Sequence, residues 1–218
     1  MDFLTTDAAM VALFGALGGI ALGLAARLGR FCTLGAIEDA LYGGSTERLR
    51  MWALAIGVAV IGSFALLGMG VLNASQAFYL TQPFSIVASV LGGLTFGYGM
   101  AMAGNCGFGA IARLGGGDLR SFVIVLVMGI CTYIMLSGPL ASLRVWAFPA
   151  DRFVASPNGI AHGLAAISGI SPIAIGLTIG VVICIAAFWR GPLLNAPKSA
   201  FWACIVGLAI VSGWAGTS

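Results

Sequence analysis

The stretch Gly104-Asn105-Cys106-Gly107-Phe108-Gly109-Ala110-Ile111 decides the interpretation of this chain, because an earlier segment matches it without a gap. At an offset of 74 positions, Cys32 aligns with Cys106 and Gly35-Ala36-Ile37 aligns with Gly109-Ala110-Ile111. Over residues 18–44, eight of 27 positions are identical, and five of these are glycines. Abundant glycine does not explain the shared Cys-x-x-Gly-Ala-Ile core. We infer two copies of one membrane unit, about 8–71 and 82–145, an arrangement typical of transporters.

The composition excludes a soluble domain. Hydrophobic residues make up 60% of the 218 residues and charged residues only 8%, and the mean hydropathy is +1.07. Such a surface belongs in a lipid bilayer, and apolar segments near 20 residues long favour helices over a barrel. The net charge of +3 is no nucleic-acid signal, and the five cysteines form no CxxC pair and no metal-ligand pattern.

The hydropathy pattern predicts six membrane spans in one transport domain covering residues 1–218. The cysteine segments, 29–42 and 104–114, interrupt this pattern and are predicted to be broken or re-entrant half-helices. Gly115-Gly116-Gly117 is a breaker, and Asp118 is well placed to cap the fourth span. The predicted fold is therefore an all-α integral membrane protein built on a repeat, with spans at about 8–28, 51–71, 84–104, 119–140, 172–189 and 199–214.

The basic residues predict the orientation. If the N-terminus lies outside the cytoplasm, eight of the ten Lys and Arg residues face the cytoplasm. The positive-inside rule then puts both termini outside and makes the two repeats parallel. The outward-facing pair is Arg144 and Arg152, and the inward-facing set is Arg27, Arg30, Arg48, Arg50, Arg113, Arg120, Arg190 and Lys198.

Each repeated cysteine follows a glycine-rich interruption of a long apolar segment. A half-helix that restarts there has free N–H groups in its first turn, and these groups and the helix dipole favour an anion. A neutral thiol is a weak, polarisable donor, which suits a large sulfur anion and allows its release. Arg30 adds attraction at the first site, and Asn105 adds a neutral hydrogen bond at the second. Glycine lets backbone and ligand approach closely, so the candidate binding glycines are Gly35, Gly104, Gly107 and Gly109.

Simpler roles compete with these assignments. Cys32 and Cys106 are alternatively small packing residues, although packing does not require the same thiol in two equivalent breaks. Arg30 is equally an anchor at the inner membrane face. Glu38 and Asp39 either form an acidic proton path or flank a cytoplasmic turn, and we favour the turn. The remaining thiols, without glycine breaks, are interpreted as packing residues: Cys131, Cys184 and Cys204.

Two pieces of the sequence, Gly29 to Ala36 and Gly97 to Gly109, resemble the YeeE/YedE-like sulfur transport family of bacterial inner-membrane proteins. The resemblance covers residues 8–120. It implies thiosulfate uptake, with Cys32 and Cys106 as relay positions whose thiols hydrogen-bond the ion. It also implies short helices that reach mid-membrane, and a small cytoplasmic sulfur-carrier protein as partner.

The chain departs from that family after residue 120. Family members usually continue into a second half with a further cysteine in a Gly-Cys-x-x-Gly-type segment, and no such motif follows here. A further shift of 74 positions puts Gly180 where that cysteine is expected. We therefore expect a shortened chain, a fragment, or a half-transporter that needs a second chain as partner.

The leading functional hypothesis is an inner-membrane transporter for thiosulfate or a related sulfur anion, with both termini periplasmic, no cofactor and no catalytic chemistry. A membrane thiol oxidoreductase or sulfurtransferase is the second hypothesis. It requires thiols that oxidise or carry persulfide, and the lack of adjacent cysteine pairs weighs against it. A passive channel for small polar solutes, in which Asn105 and backbone carbonyls matter and the thiols do not, is the third.

Overall fold

The computed structural model describes residues 2–72, 85–148, 159–189 and 191–217. Every regular element in these ranges is a helix. The α-helices, in chain order, are α1 Asp2–Leu28, α2 Thr33–Leu41, α3 Glu47–Gly68, α4 Ile86–Ala103, α5 Gly107–Gly115, α6 Leu119–Leu136, α7 Ala141–Ala147, α8 Ile160–Ser168, α9 Pro172–Phe188 and α10 Pro197–Thr217, with a short 3-10 turn at Pro192–Asn195.

The helix lengths confirm the predicted class of all-α membrane protein. Five stretches of the described chain are long and apolar enough to cross a bilayer: Ala9–Leu41, Glu47–Gly68, Ile86–Gly115, Leu119–Leu136 and Pro197–Gly216. The remaining predicted span corresponds to α9, which has 17 residues. At about 1.5 Å per residue it is slightly shorter than a hydrocarbon core of roughly 30 Å.

Several helix ends differ from the predicted spans by a few residues. The second span was predicted from about residue 51, and its helix, α3, begins at Glu47. A glutamate in the first turn complements the positive end of the helix dipole, so polar residues extend the helix here. The fourth span ends at Leu136, before the predicted residue 140, where the sequence Ser137-Gly138-Pro139 interrupts it.

The predicted start of α6 is confirmed. The Asp118 carboxylate accepts hydrogen bonds from the Arg120 N–H at 3.0 Å and from the Ser121 hydroxyl at 3.1 Å. These bonds satisfy donors that the first helical turn leaves free. The glycine breaker is also confirmed, since α5 ends at Gly115 and Gly117 has a left-handed φ of 90°.

The chain divides into two compact units, residues 1–77 with 159–218 and residues 78–158. In the first unit, α3 packs against α9 and α10, and α1 packs against α10. Glycines bring the backbones close. A Cβ at Gly57 would lie 3.1 Å from the Gly180 carbonyl oxygen, and one at Gly207 would lie 2.8 Å from the Ala55 carbonyl oxygen. Small residues at such contacts are the usual means of packing helices in a bilayer.

Arg50 ties two helices of the first unit together. Its Nη1 donates to the carbonyl oxygens of Ala186, Ala187 and Trp189, at 3.1, 3.2 and 2.9 Å. These carbonyls lie at the C-terminal end of α9, where the last carbonyls lack the donors that a continuing helix would supply. The guanidinium therefore caps α9 from the first turn of α3.

The second unit contains α4 to α7, with α5 packed against α6 and α7 against α6. The parallel repeat and the single transport domain stay predictions. Most of the segment between the second and third predicted spans lies outside the described residues. So do the first residue of the third span and two residues of the orientation argument, Arg152 and Arg190.

Candidate functional site

Both repeated cysteines stand at the start of a short helix. Cys32 is the N-cap of α2 and Cys106 is the N-cap of α5, each with extended backbone angles. Both helices are nine residues long, and their first and last residues differ by the same 74 positions that relate the two sequence copies. The predicted restart of a half-helix after each glycine break is therefore what the backbone does at both positions.

The chain reaches each cysteine through a residue in the left-handed region. That residue is Gly104 before Cys106, with φ 63°, and Arg30 before Cys32, with φ 52°, again 74 positions apart. Arg30 is the one non-glycine with positive φ among the described residues. A side chain in this region costs on the order of 1 kcal/mol, so the first break holds backbone strain that the second avoids. The Arg30 side chain itself is exposed.

The Cys106 sulfur takes part in the N-terminal cap of α5. Cys106 is buried, and its Sγ accepts a hydrogen bond from the Gly109 N–H at 3.3 Å. Because the backbone occupies the sulfur as an acceptor, the S–H remains available to donate to a ligand. Gly109 has no room for a side chain, since a Cβ there would overlap the Oδ1 of Asn105.

Asn105 carries a donor that the protein does not satisfy. Its side chain is buried, with 6% exposure, and its Nδ2 has no hydrogen-bond partner. A buried amide without an acceptor costs about 1–3 kcal/mol and calls for an explanation. The amide lines a groove of about 440 Å³ that otherwise has apolar walls, formed by Phe96, Gly99, Met100, Ala103, Gly107, Val123, Ile124, Val127 and Met128.

Two of the candidate glycines serve the backbone and the packing in this unit. Gly104 supplies the left-handed turn, which a glycine adopts without strain. A Cβ at Gly107 would lie 2.9 Å from the Met128 Cε, so this glycine lets α5 approach α6 closely. Neither observation tests a direct role for these glycines in ligand binding.

The first cysteine has a different surrounding. Cys32 is half-buried, and its side chain makes no capping hydrogen bond to the first amides of α2. A Cβ at Gly35 would overlap Nη1 of Arg48 and would lie 3.8 Å from the Cys32 Cβ. The Arg48 guanidinium thus lies against Gly35, in the first turn of α2. Its Nε is paired with the Asp39 carboxylate at 3.1 Å.

Sequence reasoning missed Arg48 and assigned it only to the inner membrane face. No signal at the repeat offset points to it, because its counterpart is Phe122. The structure also pairs Asp39, which lies next to the turn after α2, with Arg48. Arg30 and Arg48 lie on different elements of the first unit, and only Arg48 contacts Gly35.

The other thiols stand apart from these two breaks. Cys131 is exposed on α6, whereas Cys184 on α9 and Cys204 on α10 are half-buried within helices. Within the described ranges, no group of three or more His, Cys, Asp or Glu side chains could hold a metal ion.

Comparison with known proteins identifies relatives of this chain. A family model described as "Sulphur transport" matches residues 28–216. The chain is 31% identical over 130 residues to the thiosulfate transporter TsuA of Escherichia coli (strain K12), which covers 60% of this chain and 34% of that protein. It is 23% identical over 205 residues to the thiosulfate transporter TsuA of Spirochaeta thermophila, covering 91% of this chain and 61% of that protein. The chain thus spans less than two thirds of the length of either relative. By the family match over most of its length, this chain belongs to the sulphur transport family.

Proposed function

We propose that this chain carries thiosulfate or a related sulfur-containing anion inward across the bacterial inner membrane, held by hydrogen bonds to the thiols of Cys32 and Cys106. One observation carries the proposal. In a member of the sulphur transport family, a cysteine caps the start of a nine-residue helix at each of two positions 74 residues apart. A thiol that only filled space would not need this position twice.

At the second cysteine, the proposed ligands are neutral. The Cys106 S–H is free to donate because the Gly109 N–H occupies its sulfur. The unpartnered Nδ2 of Asn105 is a second donor. An anion accepts from both without an ion pair, so its release does not separate opposite charges. Weak, multiple contacts of this kind allow an ion to enter and leave.

At the first cysteine, the proposed site includes charge. The Cys32 thiol and the uncapped amides of α2 favour an anion, and Arg48 lies over the same turn. Asp39 pairs with Arg48 and offsets part of its charge, which limits how tightly the site retains a divalent anion. Arg30, exposed at the break, adds attraction for an arriving or departing ion.

Further proposals concern the orientation of the chain and its partners. We place both termini on the periplasmic side, from the positive-inside bias of the sequence. A small cytoplasmic sulfur-carrier protein and a second half-transporter chain are the proposed partners. Alkaline phosphatase fused after Ser218 should be active in intact cells, whereas a cytoplasmic C-terminus would leave it inactive.

The test is thiosulfate-dependent growth of a sulfur-auxotrophic bacterium in which this chain is the one candidate uptake route. We expect growth with the wild type and its loss in Cys32→Ala and Cys106→Ala, with membrane expression confirmed for each. The matched control is Cys131→Ala, the same change at an exposed thiol of the second unit, which should support wild-type growth. No growth with the well-expressed wild type would contradict uptake by this chain alone.

The same variants separate the competing functions. A disulfide or persulfide on Cys32 or Cys106 during turnover, detected by mass spectrometry, would favour an oxidoreductase or sulfurtransferase over a hydrogen-bond relay. Uptake retained in Cys106→Ala but lost in Asn105→Ala would favour a passive channel. The proposal requires unmodified thiols and loss of uptake in both cysteine variants.

A further inference from the structure

Two side-chain donors in the described part of the protein are buried without a hydrogen-bond partner, and both are nitrogens: Trp52 Nε1 and Asn105 Nδ2. Asn105 immediately precedes Cys106. Trp52 stacks on Phe31, which immediately precedes Cys32, with ring centroids 4.5 Å apart. One unsatisfied donor therefore belongs to the residue before a repeated cysteine. The other belongs to a residue that contacts the one before the other repeated cysteine.

The second copy has no tryptophan at the position equivalent to Trp52. Phe31 aligns with Asn105 and Trp52 aligns with Leu126 at the 74-residue offset. In the second copy the residue before the cysteine supplies the N–H itself. In the first copy that residue is a buried phenylalanine with 3% exposure, and the N–H comes from the indole packed against it.

Trp52 also shares a helix face with Arg48, whose charge lies beside Gly35. Trp52 and Arg48 are four residues apart on α3, which places them on the same side of the helix. This side packs against the Phe31 ring through Trp52 and against Gly35 through Arg48. Phe31 and Gly35, which flank Cys32 in the chain, are thus contacted by an indole ring and a guanidinium.

We infer that Trp52 is a ligand-binding residue of the first thiol site, with its indole N–H donating to the same anion as Cys32, as Asn105 donates beside Cys106. The inference rests on the proposed function and specifies the ligand class. The indole and the guanidinium supply donors only, so the site favours a deprotonated sulfur oxyanion, with several acceptor oxygens, over hydrosulfide. An unpaired N–H costs stability in the free protein, and an oxyanion removes that cost on binding.

The experiment measures anion affinity and thermal unfolding of the full chain, purified in detergent, for the wild type and Trp52→Phe. The phenylalanine keeps an aromatic ring against Phe31 and removes the N–H. Benzothienylalanine incorporated at position 52 keeps the shape of tryptophan without the N–H, and it serves if the phenylalanine variant does not fold. The control is Trp146→Phe, the same change at an indole that is 80% exposed. The probes are thiosulfate, sulfate and hydrosulfide.

We expect the dissociation constant for the bound oxyanion to rise about tenfold in Trp52→Phe, the effect of losing one hydrogen bond to a charged group. Without ligand, the benzothienylalanine variant should be at least as stable as the wild type, because it keeps the ring packing and loses only an unsatisfied donor. Trp146→Phe should change neither quantity. Wild-type affinity in Trp52→Phe, or a loss of unliganded stability with unchanged affinity, would overturn the inference.

The anion panel separates this inference from the proposed function. Wild-type binding of sulfate but not thiosulfate, weakened by Trp52→Phe, would contradict thiosulfate uptake and support the donor site. Thiosulfate binding of equal affinity in the wild type and in Trp52→Phe would support the proposed function and contradict the donor site. Binding of hydrosulfide alone, or of none of the three, would contradict both.

Discussion

Replacing Gly109 with alanine should disable the second thiol site while leaving the protein folded. A Cβ at position 109 overlaps the Oδ1 of Asn105 and comes within 3.5 Å of the Cys106 Sγ. The amide of Asn105 is the far end of a short side chain, so it is the group that moves. The buried donor is then displaced from the position that it holds in the wild type, at the groove that Asn105 lines.

The expected change in stability is small because two terms oppose each other. Alanine in place of a helical glycine stabilises by about 0.5–1 kcal/mol. Forcing the Asn105 side chain off its preferred rotamer costs about 0.5–1.5 kcal/mol. The free energy of unfolding should therefore change by less than about 1 kcal/mol, within the sum of these terms.

The expected change in affinity is larger. A hydrogen bond to a charged group contributes about 1.5–3 kcal/mol, so losing the Asn105 donor should weaken thiosulfate binding roughly tenfold or more. The assay is equilibrium binding of radiolabelled thiosulfate to the purified protein, with thermal unfolding of the same samples. The control is Gly115→Ala in the same helix, where a Cβ meets nothing within 4 Å.

A double-mutant cycle with Asn105→Ala tests the reasoning directly. If Gly109→Ala acts by displacing the amide, it has no further effect on affinity once the amide is absent. Gly115→Ala should have none in either background. An equal loss of affinity from Gly109→Ala with and without Asn105 would refute the displacement and indicate that the ligand approaches the Gly109 backbone itself.

Three further predictions concern strain, capping and helix packing, each checked by thermal unfolding of the purified protein. Arg30→Gly should raise the unfolding temperature, because it removes about 1 kcal/mol of left-handed strain, and a lower temperature would show that the arginine side chain stabilises the break. Arg50→Met should destabilise by about 2–4 kcal/mol, because it uncaps three carbonyls at the end of α9. Arg120→Met, at an exposed arginine of α6, is the control, and an equal loss in both would contradict the cap. Gly57→Ala should destabilise the contact of α3 with α9, since a Cβ there would lie 3.1 Å from the Gly180 carbonyl oxygen. An unfolding temperature equal to that of Gly115→Ala would contradict this packing.

Much of the local architecture could be predicted because its causes are local. Asp118 caps α6 as expected, since an acidic residue directly before an apolar run satisfies free amides wherever the helix lies. The nine-residue helices follow their cysteines for a similar reason, because a glycine break ends one helix and the next apolar residues begin another. The start of α3 was predicted less well, because Glu47 and Arg50 are polar residues that tertiary contacts keep helical.

The residues around the thiols were likewise only partly predictable from the sequence. Sequence reasoning named Cys32, Cys106, Arg30 and Asn105 from their positions in the repeat, and their roles in binding stay predictions. It could not name Arg48 or Trp52, which lie beyond the polar turn on another helix. Their counterparts in the second copy are apolar, so the repeat that identified the cysteines could not identify these neighbours.

The amino-acid sequence by itself determined the membrane class, the helical breaks and the two thiols that follow them. Hydropathy, segment length and a repeated cysteine depend only on the order of residues. Only the tertiary structure decided which groups surround each thiol. Arg48 reaches Gly35, and Trp52 reaches Phe31, because α3 packs one particular face against the turn before α2. That face is selected by close packing between helices, which residue order along a single helix does not specify.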